Sequence, residues 1–87
     1  ELYFEDNDLE TLEKTVIREG LEIIHPVREQ PWRQKVLRFY DFDGNIVEIG
    51  ESFDHLVIRL AEEGLAAERI STITHLNTES IRQILHL

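Results

Sequence analysis

Arg38-Phe39-Tyr40-Asp41-Phe42-Asp43-Gly44-Asn45-Ile46-Val47-Glu48-Ile49 decides how the rest of this chain is read. Two strands flank a tight turn, and Asp43-Gly44 has the chemistry a short hairpin needs, because Gly44 can take a positive φ at no steric cost. The return strand Ile46-Val47-Glu48-Ile49 is β-branched except for Glu48. That carboxylate must therefore be paired, solvated or bound to something. If the loop is the three residues Phe42-Asp43-Gly44, Arg38 falls directly across from Glu48, and a cross-strand ion pair is the simplest way to satisfy it.

Outward from the hairpin, Leu2-Tyr3-Phe4-Glu5 alternates like a strand. Asn7 or Asp8 can cap a following helix, with Glu10 and Glu13 acidic in its first turns. Leu9, Leu12, Val16 and Ile17 keep helical spacing, and Gly20 closes the helix over 8–19. Leu21-Glu22-Ile23-Ile24-His25 reads as a second strand stopped by Pro26, and residues 27–33 read as a loop. Strands over 35–40 and 46–50 complete the order β-α-β-β-β. On the first strand Glu1, Tyr3 and Glu5 share one face. On the last strand Ile46, Glu48 and Gly50 share one face, and the helix is expected to cover Leu2, Phe4, Val47 and Ile49 on the other.

This order and its hairpin resemble one module of the vicinal-oxygen-chelate superfamily, which includes glyoxalases, bleomycin-resistance proteins and extradiol dioxygenases. The resemblance spans roughly residues 1–51 and rests on Asp43-Gly44, on Glu48 four residues past that glycine, and on the helix start Asp8-Leu9-Glu10. Phe42 departs from the family's usual proline, which bears on turn rigidity rather than on the site. The resemblance implies an α+β fold, one βαβββ module forming half of a glyoxalase-like structure and followed by a short helical extension over 52–87. It also implies a metal site on the concave sheet face, with Glu48 as a ligand. Glu1 falls where the family usually has histidine and is the second candidate ligand. Two carboxylates would suit hard ions such as Mn²⁺ or Mg²⁺, with Ni²⁺ and Zn²⁺ also open, or no metal at all. Arg38, Tyr40, Tyr3 and Trp32 are the candidate substrate-pocket residues; Trp32 either walls a pocket or plugs the space beneath its loop. The family pairs two such modules, so a homodimer or a second βαβββ module is the expected partner. The chain is then a C-terminal half, and its start inside a strand, with no methionine among 87 residues, reads as a piece of a longer protein.

Composition narrows the partners. The formal net charge is −9, from 18 acidic and 9 basic side chains. That balance disfavours nucleic acid, which needs cations for its phosphates, and anionic membrane surfaces. With no cysteine, disulfides and thiolate metal sites are excluded. No apolar run approaches a membrane span, so a cytoplasmic protein is expected. His25 reads as a surface or loop contact, and His55, His75 and His86 stand at no metal-ligand spacing.

In the C-terminal region, Phe53, Leu56, Val57, Leu60 and Ala61 form one helical stripe ended by Gly64. A further helix covers 66–74, and another starts at Thr78 as N-cap. The last two look superficially like a helix-turn-helix, but a recognition helix from Thr78 would offer only Arg82 and Gln83 to DNA. Three functions follow. The first is a metal-dependent lyase, isomerase or dioxygenase whose ion polarises a small oxygen-chelating substrate. The second is a metal-free small-molecule binder of the bleomycin-resistance type, with Glu48 paired to Arg38. The third, least favoured, is an interaction module built on the helical tail.

Overall fold

The computed structural model describes residues 1–87. The elements are β1 (Leu2–Glu5), α1 (Leu9–Arg18), β2 (Ile23–Glu29), β3 (Lys35–Tyr40), β4 (Ile46–Gly50), α2 (Phe53–Glu62), α3 (Ala67–Thr74) and α4 (Thr78–Leu85). The strands form one sheet in the order β1-β4-β3-β2, with β1 and β4 parallel and the other pairs antiparallel. The fold is the expected α+β arrangement, a βαβββ unit followed by three helices.

The hairpin closes as its sequence dictates. Tyr40 and Ile46 are the last paired residues, and the Asp41 N–H donates to the Asn45 carbonyl at 2.9 Å. The loop is therefore Phe42-Asp43-Gly44, with Gly44 at φ 81°. Asp41 organises it: Oδ1 accepts from the N–H groups of Asn45 at 2.8 Å and Asp43 at 2.9 Å. Those bonds, led by the one from Asn45, hold the Asp41 carboxyl below its ordinary value.

Asp8 is the cap of α1, its Oδ1 accepting from the Thr11 N–H at 3.3 Å. Leu9 and Val16 of that helix pack with Leu37, Phe39, Val47 and Ile49 into one core. A fully buried aliphatic side chain of this kind contributes about 1.5–3 kcal/mol. Leu2 and Phe4 are not covered by the helix, contrary to expectation; they are 46% and 54% exposed. Helix α1 lies over β2 and β3, so the outer strand β1 extends beyond its reach.

β2 also differs from its sequence reading. It does not stop at Pro26 but runs from Ile23 to Glu29. An edge strand tolerates proline, and the pairing with β3 slips between Ile23 and His25 and again between His25 and Arg28, so Pro26 sits inside an irregularity. His25 is therefore a strand residue, only 7% exposed, and not a loop contact.

Helices α2, α3 and α4 build a second, separate core from Leu56, Val57, Leu60, Ala67, Ile70 and Ile81. Phe53 does not join it and stays partly exposed. Ser52 caps α2 by accepting from the His55 N–H at 3.2 Å. Asn77, not Thr78, caps α4, because its Oδ1 accepts from the Glu79 N–H at 2.8 Å. Two cores placed end to end make the molecule long. It measures 43 × 21 × 19 Å, and its radius of gyration of 14.7 Å exceeds the roughly 12 Å of a compact chain this size. No helix is long and apolar enough to cross a membrane.

Candidate ligand-binding face

The sheet face turned away from α1 carries one continuous polar row. Tyr3 pairs with Glu48, Glu48 with Arg38, and Arg38 with His25, so one residue from each strand lies in register across the sheet. Side chains directly opposite in a sheet share a face and stand within reach of one another. The three-residue loop is what sets Arg38 against Glu48, and the parallel pairing of β1 adds Tyr3. Tyr40 lies one step along the same face, paired with Ile46.

Arg38 is the electrostatic centre. Its Nη2 donates to Glu1 Oε1, and its Nε stands 3.5 Å from Glu48 Oε1. Arg38 Nε is buried yet makes no hydrogen bond, and neither does His25 Nε2; His25 Nδ1 instead lies 2.9 Å from the Pro26 carbonyl. Glu1 and Glu48, the two candidate metal ligands, thus converge on a guanidinium. No three His, Cys, Asp or Glu side chains gather to hold an ion. Two carboxylates already engaged with an internal cation do not fit a divalent ion on this chain alone.

Trp32 stands in the β2–β3 turn and reaches the row indirectly. Its Nε1 donates to Gln34 Oε1 at 2.8 Å, and Gln34 Nε2 donates to the Tyr3 hydroxyl at 3.3 Å and to the Glu51 carbonyl at 2.9 Å. Gly50 makes this crossing possible. A Cβ there would stand 2.7 Å from the Tyr3 hydroxyl oxygen and 2.9 Å from Gln34 Nε2. The structure therefore brings Tyr3, Arg38, Glu48 and Glu1 together directly, brings in Trp32 through Gln34, and leaves Tyr40 beside the row.

Glu51 is the residue that sequence reading passed over. It is 1% exposed, at the end of β4. Its carboxylate accepts from the Lys35 N–H at 2.9 Å, from Arg59 Nη2 at 2.7 Å and Nε at 3.3 Å, and contacts His55 Nδ1 at 2.6 Å. Burial pushes its pKa up, but the bonds from Arg59, Lys35 and His55 outweigh burial and leave it below the ordinary 4.5. The signal was present in the sequence: Glu51, His55 and Arg59 follow one another at intervals of four, on one helical face.

The sheet, its hairpin and the glutamate on its last strand agree with the glyoxalase-like resemblance read from the sequence. Residues 1–54 match the sequence model of the glyoxalase-like domain, and the chain belongs to that family. Among solved structures, a protein of unknown function from Agrobacterium tumefaciens is similar, at 47% identity and a TM-score of 0.52 over 59% of this chain and 40% of that one. A member of the glyoxalase/bleomycin resistance protein/dioxygenase superfamily from Sphaerobacter thermophilus matches at 27% identity, with a TM-score of 0.55, over 59% of this chain and 41% of that one. The match thus spans about two-fifths of either neighbour. No curated protein matches.

Proposed function

We propose that this chain supplies one half of a small-molecule cleft of the bleomycin-resistance type, with the Tyr3–Glu48–Arg38 row as its floor and no metal in its half of the site. The observation that carries this reading is Arg38, held between Glu1 and Glu48 where an ion would have to sit. The paired row offers a ligand both charge signs and two aromatic rings, Tyr3 and Tyr40, on one face. The second wall comes from another βαβββ module or a second copy of the chain. The free outer edge of β1 and the limited coverage of both solved neighbours support that pairing.

A second reading, a metal-dependent lyase, isomerase or dioxygenase, draws on one specific observation: Glu1 and Glu48 already converge on a single cationic centre. It requires Arg38 to withdraw and further ligands to come from the partner module.

Calorimetric titration of Mn²⁺, Ni²⁺ and Zn²⁺ into chelator-stripped protein separates the two. The binding reading predicts no stoichiometric heat from wild type and saturable binding of an aromatic or cationic compound without metal. Stoichiometric uptake that disappears in Glu48→Gln would overturn it in favour of the metalloenzyme.

A further inference from the structure

The two cores meet through polar groups. Besides the Glu51 cluster, Arg59 Nη1 stands 3.5 Å from Glu29, Arg33 Nη2 lies 3.0 Å from Glu63, and Arg59 Nη2 donates to the Arg33 carbonyl at 2.7 Å. These contacts converge on the turn between β2 and β3, the segment that carries Trp32 and Gln34.

We infer that α2 is a positioning element of the ligand face: through Arg59 and Glu51 it fixes the β2–β3 turn, and through Gln34 it sets Trp32 and Tyr3. This inference rests on the reading of that face as the ligand site. Arg33 has φ 73°, a conformation that side-chain-bearing residues seldom adopt unless their surroundings hold them there. Arg59 holds its carbonyl from outside the sheet. On the other side of Gln34, the Lys35 N–H donates to Glu51 Oε1 and the Glu51 N–H to the Lys35 carbonyl at 3.0 Å. Gln34 is thus clamped between two residues that answer to α2. Its amide then passes the constraint on, receiving the indole N–H of Trp32 and donating to Tyr3.

A shift of α2 reaches the ligand face in two further hydrogen bonds. By linkage, a partner that grips the C-terminal helices would change ligand affinity, and a ligand on the face would change the affinity for that partner by the same factor. Arg59 is a positioning residue in this scheme, and it touches no ligand.

Trp32 is the only tryptophan, so its fluorescence reads the turn directly. The experiment compares the unliganded 87-residue chain with Arg59→Gln, with Arg59→Lys, and with Arg82→Gln as control. Arg82 pairs with Glu68 at 2.7 Å wholly within the C-terminal helices. Trp32 is 37% exposed, so its release leaves room for acrylamide quenching to rise. Arg59→Gln is expected to raise quenching about twofold and shift emission to the red with far-UV dichroism preserved, and Arg82→Gln to change neither. Arg59→Lys keeps the charge but cannot hold Glu51 and the Arg33 carbonyl together, so it should fall between. If Arg59→Gln fails to fold, Arg59→Lys replaces it, with raised quenching and faster amide exchange at Lys35 as the expected result. Unchanged quenching in a folded Arg59 variant, or an equal change in Arg82→Gln, would overturn the inference. No ligand is added, so failure of the binding reading would show separately, as absent ligand uptake with Trp32 still responding to Arg59.

Discussion

Replacing Glu51 by alanine should cost this protein a large part of its stability. The substitution removes the acceptor for the Lys35 N–H, for two Arg59 nitrogens and for His55. Arg59, with its side chain 18% exposed, keeps the Arg33 carbonyl at 2.7 Å but, of its carboxylates, only Glu63 at 3.4 Å and Glu29 at 3.5 Å. Breaking a buried ion pair from one side costs about 3–5 kcal/mol, because the remaining charge is stranded. The two surviving carboxylates soften that loss, so about 3 kcal/mol is expected. A chain this size has roughly 4–13 kcal/mol in all. Each kcal/mol lowers the melting point of such a domain by about 4–8 °C, so a drop of roughly 12–24 °C should follow. Urea titration at neutral pH, read by far-UV dichroism and by Trp32 fluorescence, measures it. A loss under about 1 kcal/mol, the level of an exposed ion pair, would refute the assignment of Glu51 as the buried link between the two cores.

Other predictions concern single residues. Glu51→Gln should lose its deficit relative to wild type on acidification: the folded carboxyl titrates below its ordinary 4.5, so its stabilisation is complete above that value and lost as pH falls through the depressed one. Urea midpoints of both proteins across pH would show the convergence. Gly50→Ala should break the Tyr3–Gln34 contact by forcing both side chain ends aside; a rise in Trp32 quenching with little change in melting point would report it. Leu56→Ala should cost about 2–5 kcal/mol and, because Leu56 belongs to the second core, should speed amide exchange in α3 and α4 more than in β3. Asp41→Ala should lower the melting point by freeing the Asn45 and Asp43 N–H groups in the hairpin loop.

The hairpin was the most legible part of this protein because its determinants are local. Asp43-Gly44 sets the loop, the loop sets the register, and the register puts Arg38 opposite Glu48 before any tertiary contact is considered. The element order β-α-β-β-β along the chain and the helix spacing of Leu9, Leu12 and Val16 were likewise open to reading. Pro26 misled, because a proline's meaning depends on whether its strand lies at an edge, and edge position is a tertiary fact. Leu2 and Phe4 misled for a related reason: alternation tells which face a side chain takes, not whether a helix reaches far enough to cover it. Glu51 was hidden by its place at the end of a strand, although its spacing to His55 and Arg59 belongs to the helix that follows. Which residues share the sheet face turned away from α1 could be read from period-two alternation. The links through Gln34 could not, since they join a turn to a strand thirty-one positions away.

The parallel pairing of β1 with β4 has a kinetic consequence. Leu2 faces Val47, and Tyr3 faces Glu48, so the first strand of the chain cannot find its seat until the hairpin that carries β4 exists. Pairing strands this far apart in the chain is slow compared with forming local contacts. β1 is held along one edge only and exposed on both faces, so it is expected to be the last strand to dock. During that delay the empty seat beside β4 is equally open to the same strand from another copy, and at high concentration exchange of β1 between chains competes with its own return.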